Sequence, residues 1–201
     1  MKANFDWIEQ IYDEEFIMGI DEVGRGPLFG GVLSAAVIMP KHRYIVGVND
    51  SKKLSEKNRK LFFNLIWKEA LAIGVGYYDN NIIDNINILE ATKLAMIDAY
   101  EEASIFKMPE IVLVDAVKLN ISSKQESIVH GDEKSYNIAC ASIVAKVLRD
   151  NLCYGWHKIY PNYAILKNKG YGTKEHIEAI KKYGITNLHR RSFLKKYEKG
   201  E

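Results

Sequence analysis

Short apolar runs closed by carboxylates and glycines occupy the first part of the chain, and longer stretches with apolar residues every third or fourth position follow. Phe16–Ile20 is an apolar run ended by Asp21-Glu22. Gly31–Met39 is a second, carrying Val32, Leu33, Val37 and Ile38 and closed by Pro40. The cluster Gly24-Arg25-Gly26-Pro27 between them has hairpin length, so two antiparallel strands are predicted. From Ser55 a helical stripe begins, with Phe62, Leu65, Ile66, Ala70 and Ile73 at offsets 0, 3, 4, 8 and 11. Ala72–Tyr78 reads as a third strand and Ile86–Ala103 as a second helix, with Leu89, Met96, Ala99 and Tyr100 on one side. Ile111–Val114, bounded by Pro109 and Asp115, reads as a buried strand.

The next helix is the most apolar. Ile138, Ala141, Ala145, Leu148 and Leu152 fall at offsets 0, 3, 7, 10 and 14, and Cys140, Ile143, Val144 and Val147 fill much of the remaining surface. Ser142, Lys146 and Asp150 stand at successive i+4 positions, one narrow polar strip on a buried helix. The order of strands, alternating helix and strand, then helices predicts an α/β architecture with helices packed on a mixed sheet.

With 201 residues, 47% of them hydrophobic and 27% charged, the chain can bury a core without crosslinks and is not a disordered polymer. Its two cysteines, Cys140 and Cys153, form no CxxC or Cys/His cluster, so neither a zinc site nor a disulfide scaffold is indicated. The acidic start (Asp6, Glu9, Asp13, Glu14, Glu15) is unlike a signal peptide and no span of membrane length occurs, so a cytoplasmic protein is expected. The net charge of +2 conceals an asymmetry: residues 146–201 hold 13 Lys/Arg against 5 Asp/Glu. That basic end suits a polyanion such as nucleic acid, or is a solvated basic surface.

Four carboxylates draw attention. Asp21-Glu22 and Asp115 close apolar strands, where desolvation is costly unless a cation meets them. Asp132 follows Gly131 just before the buried helix. A set without His or Cys suits hard, oxygen-seeking ions, Mg²⁺ or Mn²⁺, and two such ions can drive hydrolysis of a phosphodiester. Taken singly, Asp115 reads equally as a turn cap and Asp132 as a helix N-terminal charge. Gly24 and Gly26 let backbone approach a ligand beside those carboxylates, though a plain glycine turn has the same residues. Asp50-Ser51-Lys52-Lys53-Leu54-Ser55 supplies polar groups before a helix, as a capping segment also does.

These residues lead to a family. Gly19-Ile20-Asp21-Glu22-Val23-Gly24-Arg25-Gly26-Pro27-Leu28 closely resembles the signature of type 2 ribonucleases H, the ribonuclease HII group. The resemblance continues, in the family's order, through Asn49–Ser55, Asn87–Thr92, Val114-Asp115, Gly131-Asp132, Ala141–Asp150, Lys169-Gly170-Tyr171 and His189–Phe193, spanning residues 19–193. It implies a ribonuclease H-like fold with a small, basic C-terminal helical region (residues 155–201) on a single domain, probed by an RNA–DNA hybrid or a DNA duplex containing ribonucleotides. By the same resemblance, Asp21, Glu22, Asp115 and Asp132 are the metal-binding catalytic carboxylates, serving a pair of Mg²⁺ or Mn²⁺ ions. Gly24, Arg25 and Gly26 are the loop that senses the ribose 2′-hydroxyl. Tyr171 is the tyrosine that stacks at the RNA–DNA junction, and Lys52, Ser142 and Lys146 line the phosphate path.

The chain departs from the family's pattern at Gly172, where a proline usually follows the tyrosine, which predicts a looser loop. Phe29 and Gly31 replace a small residue and a proline. No glutamine-led clamp-binding box follows Phe193, so a sliding-clamp partner is not expected, and the chain is expected to be a monomer. The five histidines share no motif. A metal-dependent endoribonuclease is therefore expected, cutting 5′ of ribonucleotides to leave 3′-hydroxyl and 5′-phosphate ends. Two rivals stay open: a non-enzymatic nucleic-acid-binding domain, which leaves the carboxylates unexplained, and a Mg²⁺ phosphohydrolase of small substrates, which leaves the basic, aromatic end unexplained.

Overall fold

A computed structural model describes residues 7–198 apart from 50, 52 and 53, and only the backbone of 196–198. Its centre is a five-stranded mixed sheet in the order β3-β2-β1-β4-β5. The strands are β1 (Ile17–Val23), β2 (Val32–Ile38), β3 (Ala72–Tyr78), β4 (Ile111–Asp115) and β5 (Gln125–Ile128). β1, β2 and β3 pair antiparallel, whereas β4 runs parallel to both β1 and β5. The expected mixed sheet flanked by helices is thus present.

The apolar runs are continuous because both faces of the sheet are covered. Leu33, Ala35 and Val37 of β2 point into a core with Ile66 of α1 (Glu56–Glu69) and Ala141, Val144 and Ala145 of α5 (Tyr136–Ile159). Met18, Ile20, Ala36 and Ile38 face the other way, against Met96, Ala99 and Ala103 of α3 (Ile88–Phe106). α5 crosses β1 at Gly19, where a Cβ would lie 2.1 Å from the Asn137 carbonyl carbon. Only a residue without a side chain permits that approach, and the approach brings the polar strip of α5 to the end of β1. The N-terminus of α5 is capped twice over: Ser135 Oγ accepts from Ile138 N–H, and the buried Glu9 carboxylate accepts from the Ser135 hydroxyl and the N–H groups of Tyr136 and Asn137.

Three expectations are corrected. The helix read over Ile86–Ala103 is two helices, α2 (Asn80–Ile86) and α3, broken at Asn87. Asn87 has φ 72° and ψ 165°, closes α2, and caps α3 by accepting from the N–H groups of Leu89 and Glu90; that backbone lies outside the αL well, in a region few residues with side chains occupy. Ile73, read into the α1 stripe, belongs to β3, because α1 stops at Ala70. β5 was not expected at all: its sequence, Gln-Glu-Ser-Ile, is polar because it lies at the sheet edge.

After α4 (Gly131–Lys134) and α5, the chain forms α6 (Ile165–Asn168), α7 (Lys174–Tyr183) and α8 (Arg191–Glu198), the expected C-terminal helical region. It packs around Phe29, which is fully buried among Trp156, Tyr160, Tyr163, His176 and His189. The bulky residue at position 29 is therefore the anchor that ties this region to the β1–β2 connection. Among the described residues no helix is long and apolar enough to cross a membrane.

Candidate active site

Parallel pairing of β1 with β4 sets Ile20 opposite Val114. The next residue on each strand is a carboxylate, so Asp21 and Asp115 emerge side by side at the carboxyl ends of adjacent strands, with Glu22 following. One ligand oxygen from each of Asp21, Glu22 and Asp115 lies within 4.8 Å of the others. Burial, then the charges of Glu22 and Asp115, hold Asp21 well above the usual carboxylate range. Burial also raises Glu22; Arg25 opposes it, with its Nη1 3.4 Å from Glu22 Oε1. The other oxygen, Glu22 Oε2, is buried without a hydrogen-bond partner. Three crowded carboxylates with an orphaned buried oxygen are what a cation would relieve, and all-oxygen donors suit a hard divalent ion. The residues fit such an ion.

Asp132 is not among the three convergent ligands. It is buried at the start of α4, one residue beyond Gly131, whose N–H donates to Asp115 Oδ1 at 2.8 Å.

Asp21, Glu22 and Asp115 share a cleft of about 230 Å³ with Gly24, Arg25, Gly26, Ser51, Ser142, Lys146, Arg149 and Tyr171. The structure thus brings together every expected site residue except Asp132, placed as above, and Lys52, which lies outside the described residues. The polar strip of α5 reaches the carboxylates as an ordered chain. Ser142 hydrogen-bonds Asp21, which lowers that carboxyl's pKa in part, and Ser142 Oγ is 2.9 Å from Ser51 Oγ. Since a serine hydroxyl has one proton, Ser51 donates to Ser142 and Ser142 to Asp21. Lys146 is held by Asp150 at 2.7 Å.

Tyr171 is 46% exposed and stands over Gly26, where a Cβ would come 3.2 Å from its ring. Gly172 does not leave the loop slack. Tyr171 N–H donates to Asn168 O, while its carbonyl accepts from Thr173 N–H and meets His176 Nδ1 at 2.9 Å. His176 and His189, which share no sequence motif, form a buried pair with Nε2 atoms 3.3 Å apart. Thr186 N–H donates to His189 Nδ1, so His189 carries its proton on Nε2 and donates it to His176, whose Nδ1–H holds the Tyr171 carbonyl. Burial, joined for His189 by its neighbour, depresses both, His189 to about 4, and both are neutral at pH 7.

Sequence reasoning passed over Ser51, Arg149 and Arg190. Arg149 lines the cleft three residues after Lys146 on the same helical face, a spacing that could have marked it. Arg190 belongs to the basic end, where its charge reads as solvated, and its place in the His189–Phe193 block is the one signal that could have marked it. It is instead fully buried.

The chain matches the ribonuclease HII family over residues 18–196. It is 52% identical over 193 residues to the ribonuclease HII of Alkaliphilus metalliredigens, covering 93% of this chain and 95% of that one. Its fold resembles the ribonuclease H2 of Pyrococcus horikoshii with a TM-score of 0.74 at 23% identity, over 92% of this chain and 100% of the other. It also resembles the Archaeoglobus fulgidus RNase HII solved in complex with PCNA, with a TM-score of 0.72 at 25% identity, over 88% and 94%. A match running from the first strand into the last helix, joined to identity at more than half of the aligned positions, settles membership: the chain belongs to the ribonuclease HII family and is a type 2 ribonuclease H, an endoribonuclease acting on RNA–DNA hybrids.

Proposed function

We propose that the cleft cuts on the 5′ side of ribonucleotides, including a single one embedded in duplex DNA, to leave 3′-hydroxyl and 5′-phosphate ends. The observation that carries this reading is the adjacency of two devices in one cleft: a crowded carboxylate triad and, one residue after its Asp21-Glu22 pair in the chain, the Gly24-Arg25-Gly26 loop. The 2′-hydroxyl alone distinguishes RNA from DNA at a given nucleotide, and a loop beside the carboxylates reads one sugar next to the phosphate that is cut.

In this reading Asp21, Glu22 and Asp115 hold Mg²⁺ or Mn²⁺, with Asp132 completing the set for a second ion. When bound, divalent ions supply an activated water and a counter-charge for the leaving oxygen. The protein's own groups do the positioning. Ser142 and the Glu22 N–H hold the Asp21 carboxylate in place beside Glu22 and Asp115. Lys146 neutralises a phosphate of the bound strand, drawn from Asp150 as the substrate enters, and Lys52 extends the phosphate path. Tyr171 stacks on the deoxyribose beyond the ribonucleotide, a face that a second 2′-hydroxyl would crowd. The basic helical region, residues 155–201, is the arm of a single domain that meets the duplex, and the enzyme acts as a cytoplasmic monomer.

The test is cleavage of two labelled duplexes, one with a single ribonucleotide and one an RNA–DNA hybrid, with Mg²⁺, Mn²⁺ or chelator. Metal-dependent cutting of both is expected, 5′ of the lone ribonucleotide. Cutting confined to the continuous hybrid would refute the junction reading. Tyr171→Ala is expected to lower the rate at the lone ribonucleotide by about tenfold or more while changing DNA affinity little, since a misplaced reacting group costs rate before binding.

A further inference from the structure

Four carbonyls of the glycine loop and of the residues that lead out of it are held by one side chain. Arg190, a residue of the C-terminal region with no exposed surface, spends its whole guanidinium on them. Its Nε donates to Gly30 O at 2.7 Å, one Nη to Arg25 O at 2.9 Å, and the other to Gly24 O at 2.6 Å and Gly31 O at 3.0 Å. The backbone beside it is tied to the same loop: Arg190 N–H donates to Leu28 O, and Gly30 N–H donates to Leu188 O. Arg149, also buried, donates to Phe29 O at 3.3 Å. Arginine suits this work because its planar fork presents five donors in fixed directions, which the point charge of lysine does not.

Peptide planarity turns this anchoring into a statement about the cleft. In a trans peptide the C=O of one residue and the N–H of the next point in opposite directions. There is no cis peptide bond among the described residues. Fixing Gly24 O and Arg25 O on Arg190 therefore fixes the N–H groups of Arg25 and Gly26 on the side away from it. That side is the cleft, which Gly24, Arg25 and Gly26 line and Arg190 does not.

We infer that Arg190 is a positioning residue for ribose discrimination, aiming the Arg25 and Gly26 N–H groups at the sugar beside the cut phosphate by holding the carbonyls behind them. The inference rests on the proposed role of this loop as the reader of the 2′-hydroxyl. Arg190 does not line the cleft and its side chain hydrogen-bonds to the carbonyls behind it, so its effect runs through the loop.

The experiment measures binding separately from cleavage, with Ca²⁺ replacing Mg²⁺. Affinities of wild type, Arg190→Lys and Arg190→Gln are measured for two otherwise identical duplexes, all-DNA and DNA with one ribonucleotide, alongside Mn²⁺ titration and melting curves. Wild type is expected to prefer the ribonucleotide duplex. Both variants are expected to lose that preference by about tenfold, the scale of one lost pair of directed hydrogen bonds, with all-DNA affinity and Mn²⁺ affinity within about twofold of wild type. Arg190→Lys, which keeps the charge, is expected to fare no better than the neutral variant. Undiminished preference in either folded variant overturns the inference. So does a variant set that only unfolds, because Arg190 is then scaffold and nothing more. Wild type that does not discriminate at all strikes the loop reading itself, an outcome seen without any variant.

Discussion

The Cβ that Gly24 lacks would lie 2.5 Å from Nε of Arg149 and 2.9 Å from the carbonyl oxygen of Gly31. Gly24 also has φ +100°, a backbone region closed to residues with side chains. Both facts demand glycine at the residue that follows the carboxylate strand. Arg149 cannot yield, since it is buried and its Nη groups hold Phe29 O and Lys169 O. Gly24→Ala is therefore expected to destabilise the protein by about 1–3 kcal/mol and to cut activity by more than the stability loss explains. Melting and cleavage of an RNA–DNA hybrid below the melting range test this; wild-type turnover in Gly24→Ala would show that the loop need not hold this shape.

The histidine pair predicts an acid limb of stability. Both histidines have depressed values in the folded state, His189 near 4, against an ordinary value of 6.5. Between those limits the unfolded chain binds more protons, so the stability they confer is complete above pH 6.5 and is lost as pH falls towards 4. For His189 the full swing is on the order of 3 kcal/mol. Asp21, whose value is raised, acts with the opposite sign, so the comparison is between wild type and His189→Gln in the same buffers. His189→Gln should melt below wild type at pH 7.5, with the gap closing by pH 5. A gap that is constant with pH would mean that the pair does not resist protonation.

Lys146 should report on the phosphate path. It lines the cleft while paired with Asp150, so a bound phosphate would compete for a charge already in place. Lys146→Gln is expected to weaken hybrid binding and to lower the slope of log affinity against log salt by about 1, the share of one phosphate contact. The slope is measured between about 50 and 200 mM salt. An unchanged slope would confine Lys146 to its ion pair.

Much of this site was legible along the chain because its parts are local. Asp21 and Glu22 precede the glycine loop directly, and the Ser142, Lys146, Asp150 strip has a helical period on an otherwise apolar helix. Parallel pairing then adds Asp115 by register, which a sequence implies only through its alternation of strands and helices. What stayed hidden depends on contacts across long separations. Arg190 meets Gly24 across 166 residues, and His176 meets His189 only after α7 has turned the chain back. A buried arginine and a surface arginine look alike in a basic segment. The break at Asn87 and the edge strand β5 were missed because the first turns on one backbone angle and the second lacks the apolar residues that reveal interior strands.

The carboxylates carry the last prediction. Asp21, Glu22 and Asp115 converge, and Asp132 stands at the start of α4 beside Gly131, whose N–H donates to Asp115. This arrangement separates the four into a convergent triad and one carboxylate outside it. Calorimetric titration with Mn²⁺ is expected to find two classes of site in wild type. Asp132→Asn should keep the tighter class and weaken the other by about 10-fold or more, the usual scale for a support lost at the edge of a metal site. Asp21→Asn should lose both and abolish cleavage. Without metal, Asp21→Asn should melt higher than wild type, because it removes one of three mutually repelling charges at a buried position while nearly keeping its shape. Added Mn²⁺ should then reverse that order, since only wild type gains from binding. If Asp21→Asn melted lower than wild type in chelator, the triad would not be electrostatically strained. If Asp132→Asn titrated like wild type, Asp132 would be a helix N-terminal charge and not a ligand.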